Sequence, residues 1–140
     1  MASKIFLDAN VLLDLTLKRE NYNDAKEIFE LVINNKVEAF ITPSIVHIIG
    51  HYLTKYYNAD KAREIILALL ANVKTIDIPH EVVLIALHSQ IKDIEDSLQY
   101  YAARHHKINY FISMDKALQK KAAITLPVLK PGEFLFMITS

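Results

Sequence analysis

With 140 residues, the chain fits a single domain over 1–140, long enough to bury roughly two-thirds of its unfolded surface. Sixteen basic residues balance sixteen acidic ones, so there is no global basic footprint for nucleic acid, and any such binding must use a local patch. The absence of cysteine excludes disulfides and Cys-ligated zinc, and no apolar run reaches the ~20 residues of a bilayer span, so a soluble cytoplasmic protein with no membrane contact is expected.

Hydrophobic residues make up 52% of the chain, and the mean hydropathy is +0.17. Both are high for a small soluble domain. Some apolar surface is therefore expected to be covered by a partner protein or a second copy, with a homodimer as the simplest case.

In chain order, Lys4–Leu7 reads as a buried strand that runs into a lone acid, Asp8. Helical patterns follow over Val11–Leu17 and Asn23–Asn34, the second with Ala25, Ile28, Phe29 and Val32 on one face. Val37–Ile41 is a short strand. Thr42-Pro43-Ser44 then opens a helix to about Tyr57, with Pro in its first turn. A helix over Asp60–Asn72, a strand over Val73–Ile78 and a helix from Pro79 to about Ser89 come next. The last elements are a helix over Asp93–His106, a strand over Tyr110–Ile112, a helix over Lys116–Lys121, a strand over Pro127–Leu129 and a helical turn from Pro131. Strands alternate with helices, which come in pairs after the first three strands. This pattern predicts an α/β fold in three layers, a short parallel sheet flanked by helices.

In such a sheet, ligands bind outside the carboxyl ends of the strands. Asp8 stands at the end of the first strand, and Asp115 follows the strand Tyr110–Ile112 after Ser113 and Met114. Asp96 lies in the first turn of its helix, on one face with Asp93 and Tyr100. Asp93 and Glu95 also suit helix capping. An acid after a buried strand is costly unless it is paired or binds a cation. Gathered carboxylates repel one another, and Mg²⁺ or Mn²⁺, which prefer hard oxygen ligands, resolve that repulsion. A water on such an ion can be activated for phosphodiester cleavage.

Four segments in order carry a resemblance. They are Phe6-Leu7-Asp8-Ala9-Asn10-Val11-Leu12-Leu13-Asp14, Ile94-Glu95-Asp96-Ser97-Leu98-Gln99-Tyr100-Tyr101-Ala102-Ala103, Tyr110-Phe111-Ile112-Ser113-Met114-Asp115-Lys116-Ala117-Leu118, and Leu126-Pro127-Val128-Leu129-Lys130-Pro131-Gly132-Glu133-Phe134-Leu135. With them the chain resembles the PIN-domain family, and within it the VapC-like toxin components of toxin–antitoxin pairs. The resemblance implies a Mg²⁺- or Mn²⁺-dependent endoribonuclease acting on single-stranded RNA, with an antitoxin protein as a possible partner. It implies Asp8, Asp96 and Asp115 as metal ligands and catalytic acids. Asn10, Ser113 and Asp93 would support them. The family commonly places a Glu on the helix after the second strand. Here that helix reads Pro43-Ser44-Ile45-Val46-His47-Ile48-Ile49-Gly50-His51-Tyr52-Leu53 and holds no acid.

His47 is a possible stand-in for that Glu, and His47 with His51 has the i, i+4 spacing that can serve one metal. Ordinary helix packing is the better account of the pair. The cations Arg104, His105, His106 and Lys107 suit a helix C-terminus. Lys116, Lys120 and Lys121 follow Asp115 and either reach a substrate backbone or form a solvated face. Tyr52, Tyr56 and Tyr57 read as a base-stacking stripe or as core and dimer contacts. Two other functions compete with a nuclease. A PIN domain without the usual second acid can be catalytically weakened or inactive and serve as an RNA- or protein-binding module. A phosphotransferase of the haloacid dehalogenase type would need a second Asp where Asn10 stands.

Overall fold

The computed structural model describes residues 2–139. Five strands form the sheet: β1 (Ser3–Leu7), β2 (Val37–Ile41), β3 (Val73–Thr75), β4 (Tyr110–Ile112) and β5 (Val128–Leu129). Their order is β3-β2-β1-β4-β5, and every pairing is parallel. The helices are α1 (Ala9–Thr16), α2 (Tyr22–Ile33), α3 (Pro43–Tyr56), α4 (Ala59–Leu70), α5 (His80–Leu87), α6 (Ile94–His105), α7 (Lys116–Lys121) and α8 (Pro131–Thr139). The expected α/β architecture and the helix pairs after the first three strands are both present.

β1 lies at the centre because it is apolar on both faces. Ile5, Phe6 and Leu7 are consecutive and fully buried, as a parallel strand covered by helices on each side requires. Phe6 stacks on Phe111 of β4 with ring centroids 4.9 Å apart. Burying the two rings stabilises the β1–β4 seam by a few kcal/mol, at roughly 1.5–3 kcal/mol for each side chain.

The strand order reverses at β1, which pairs with β2 on one side and β4 on the other. Such a switch point opens a crevice at the carboxyl ends of the two strands. The register sets Leu7 beside Ile112, so the next residues, Asp8 and Ser113, emerge side by side. The Asp8 amide donates to the Ile112 carbonyl at 3.1 Å and extends the ladder to the rim.

The boundaries differ from expectation where caps or partners run out. α1 begins at Ala9 rather than Val11 because Asp8 itself caps it. β3 stops at Thr75 rather than Ile78 because its partner β2 ends at Ile41, where Thr42 turns the chain into α3. Pro127 does not open β5. It has no N–H to donate, although its carbonyl accepts from Phe111. On α6, Ile94 is exposed, whereas Gln99, Tyr100 and Ala103 are buried, so its core face includes a polar amide. Tyr52, Tyr56 and Tyr57 are all exposed, which removes them from the core. No helix among the described residues is long and apolar enough to cross a membrane.

Candidate active site

The acids reach one end of the sheet by a single local rule. A carboxylate at an N-cap accepts a backbone N–H from the first turn of its helix. Asp8 caps α1 by accepting from Ala9 at 2.8 Å. Asp93 caps α6 by accepting from Asp96 at 2.9 Å, and Asp115 caps α7 by accepting from Leu118 at 3.1 Å. Three helix N-termini, with their positive partial charge, therefore point toward the same rim.

Ser113 joins two of these acids. Its buried hydroxyl donates to Asp8 Oδ2 at 2.8 Å and accepts from the Asp115 amide at 3.0 Å. The role expected of Ser113, orienting the acids, has this geometric basis. Asn10 also lines the site, but its Oδ1 accepts from Arg19 at 3.2 Å, and Arg19 in turn pairs with the buried Asp14 at 2.9 Å.

Asp8, Asp96 and Asp115 line one cleft of about 400 Å³ together with Glu95, Ile48 and Tyr52. Asp93 stands just outside it, in a neighbouring cleft that shares Asp96 and Asp115. Glu95 brings a fourth carboxylate that the sequence reading assigned to capping. Its place in a first helical turn beside Asp96 was the available signal.

Burial and neighbouring charge raise the proton affinity of three of these acids, Asp8, Glu95 and Asp96. Burial is the main cause at Asp8, with the charges of Asp115 and Asp93 adding to it and the Ser113 hydrogen bond opposing. Burial and the Asp93 and Asp8 charges raise Glu95 as well. Asp96 is pushed up to about 7 by burial first, then by Asp93 and by a side-chain hydrogen bond with Asp115. Carboxylates with raised proton affinity gathered in one cleft make it the candidate functional site.

His47 is not at this cleft. α3 turns Ile48 and Tyr52 toward the acids, and His47 and His51 face a separate groove between α3 and α4. That groove measures about 600 Å³, and Val46, Gly50, Ala62, Ile66 and Leu67 give it an apolar surface. The position expected for a fourth acid on α3 is thus filled at the cleft by Ile48. Lys116 and Lys120 line neither acid cleft, whereas Lys121 lines the second.

The model of the PIN domain matches residues 4–117. The chain belongs to the PIN-domain family. Solved structures with this PIN fold include VapBC2 from Rickettsia felis bound to a DNA fragment from its promoter, at 12% identity and a TM-score of 0.66 over 89% of this chain and 96% of that one. A toxin–antitoxin complex from Klebsiella pneumoniae matches at 20% identity and a TM-score of 0.66, over 91% and 97% of the two chains. VapC20 of Mycobacterium tuberculosis, a toxin that cleaves the sarcin–ricin loop, matches at 13% identity and a TM-score of 0.67, over 88% and 98%. No curated protein matches the sequence significantly.

Proposed function

We propose that this PIN domain is a divalent-metal-dependent endoribonuclease that cuts single-stranded RNA in the cytoplasm, in the manner of a toxin held by an antitoxin. The observation that carries the reading is the convergence of Asp8, Asp96, Asp115 and Glu95 on one cleft at the switch point of the sheet.

Whether these residues suit a metal follows from their chemistry. All are hard oxygen donors, the type that Mg²⁺ and Mn²⁺ prefer. Burial first, and the neighbouring negative charges second, raise the proton affinity of Asp8, Glu95 and Asp96, and a cation would relieve both costs. Among the described residues, no three His, Asp or Glu side chains are yet gathered closely enough to ligate one ion. The donor set fits, and Asp8, Asp96 and Asp115, with Glu95 beside them, would hold the ion. A bound Mg²⁺ or Mn²⁺ supplies Lewis-acid activation of water and neutralises charge on a phosphate. Ser113 fixes the Asp8 carboxylate and the Asp115 backbone in one orientation. Arg19 holds the Asn10 amide beside the cleft. A cation beside Asp96 would offset the burial and repulsion that raise its proton affinity and would hold it as a carboxylate ligand.

One observation favours a second reading, an inactive PIN domain that binds RNA or protein: apolar Ile48 faces the cleft where α3 was expected to bring an acid. Incubating the purified protein with a fluorescent single-stranded RNA separates the two. Cleavage that needs Mn²⁺ and stops with EDTA is expected. Intact RNA at millimolar Mn²⁺, with no heat of Mn²⁺ binding by calorimetry, would leave the second reading standing. The expected homodimer draws support from Leu84, Ile85 and Leu87, which α5 leaves about half exposed. Sedimentation velocity at micromolar concentration should give a dimer, and a monomer would refute it.

A further inference from the structure

Two clefts meet at the acids. The first holds Asp8 and ends in exposed Tyr52 and Met114. The second, about 460 Å³, shares Asp96 and Asp115 with it and runs on to Lys92 and Lys121. Between them the two clefts are lined by an aromatic ring, the carboxylates and two lysines, with Asp96 and Asp115 common to both.

The cationic lining is built rather than scattered. Lys121 leaves α7 and donates to the Gln90 carbonyl at 3.1 Å, in the loop that joins α5 to α6. That bond uses one of three ammonium donors and fixes the charge beside Lys92, two residues further along the loop. Among the described residues, neither lysine pairs with a carboxylate. Asp93, Asp96 and Asp115 share this cleft, so the two cations stand at the border of the acidic centre.

A polyanion meets repulsion at four clustered carboxylates, and a chain with no net charge offers it no attraction at long range. Local cations must hold it, and a single strand also offers bases for stacking. We infer that Lys92 and Lys121 bind a backbone phosphate on one side of the acids while Tyr52 stacks a base on the other, so that the RNA strand crosses the acids from α7 to α3. The inference rests on the ribonuclease reading and adds the path of the substrate.

The test uses the full chain, a fluorescent single-stranded RNA, and the double variant Lys92→Ala/Lys121→Ala. Cleavage is followed with Mn²⁺ and binding by anisotropy in EDTA. The double variant should raise KM about tenfold, with a much smaller change in kcat. Its plot of log affinity against log salt should be shallower by about 0.7–1.4, the loss of one or two phosphate contacts. Lys92→Arg/Lys121→Arg should restore both, and Tyr52→Ala should weaken binding where Tyr52→Phe does not. If the wild type cleaves and the double variant matches it in KM and salt slope, the path is wrong and the ribonuclease reading stands. If the wild type binds RNA in this salt-dependent way but never cleaves, the path stands and the ribonuclease reading falls. If it neither binds nor cleaves, both are overturned.

Discussion

Helix α3 serves two hollows that differ in what each leaves unbalanced. Its Ile48 and Tyr52 face the acid cleft, and its His47, Gly50 and His51 face the groove against α4. The groove is larger, and no carboxylate is among the residues lining it. The cleft is smaller and gathers four, three of them with raised proton affinity. Size marks a place where something can fit. Buried, mutually repelling charge marks a place where a fold gives up stability, and such places are candidate sites of chemistry.

The contrast can be broken most directly at Asp8. Asp8→Asn keeps the shape of the side chain and removes its charge. It should lower Mn²⁺-dependent RNA cleavage by about a hundredfold or more, the scale of several kcal/mol of lost charge stabilisation. Unchanged cleavage would move the chemistry elsewhere. Ser113→Ala should be the next largest effect. It frees the Asp8 carboxylate from its hydrogen bond, and loss of such a supporting contact weakens metal affinity by roughly 10–100-fold. A Mn²⁺ titration by calorimetry reads this, and an unaltered affinity would reduce Ser113 to a structural hydroxyl.

Stability against pH sharpens the charge side of the comparison. Asp96 titrates at about 7 in the folded chain against an ordinary 3.8. Folding therefore favours its protonated form. That contribution is fully present below about pH 4 and is lost as pH rises through about 7. The Tm of metal-free protein should fall between pH 5 and 8, and the rise in Tm on adding Mn²⁺ should grow over the same window. At pH 8, Asp96→Asn should raise the metal-free Tm by about 2–4 °C, because it removes a repelled charge. A lower Tm would place Asp96 in a stabilising pair instead. The smallest effect is expected in the groove. Leu67 is largely exposed, and Leu67→Ser should change stability by no more than about 0.5 kcal/mol and leave the cleavage rate intact. A loss of cleavage comparable to that of Asp8→Asn would erase the distinction between the two hollows.

The fold was readable because its signals are local and strong. Ile5-Phe6-Leu7 is a continuous apolar run, and β4 and α7 have the boundaries their residues suggest. Asp8, Asp96 and Asp115 could be picked out because an acid at a strand end or in a first helical turn is an economical sequence cue. The direction of a side chain on α3 was harder to read. His47 and Ile48 are neighbours in sequence, and a helix turns about 100° between them, so one residue of phase decides which hollow each enters. The buried face of α6 is likewise set by contacts that hydrophobic spacing does not show. The helix buries Gln99, which bonds to Ser44 and Thr42 across to α3, and Tyr100, whose hydroxyl donates to the Leu126 carbonyl. Those polar partners come from distant segments and leave no trace in hydrophobic spacing.

The four carboxylates are mounted on different elements. Asp8 and Asp115 are tied through Ser113 to the ends of β1 and β4. Glu95 and Asp96 ride on the first turn of α6, held by the Asp93 cap to their own helix. The site is therefore divided between the sheet rim and a helix, and the Asp96–Asp115 side-chain hydrogen bond spans the division. A cation held by all four acids would add a second tie across it. Hydrogen exchange with and without Mn²⁺ should register this as new protection in the first turn of α6 and none in β1. Equal gains in both would mean that the two halves already behave as one.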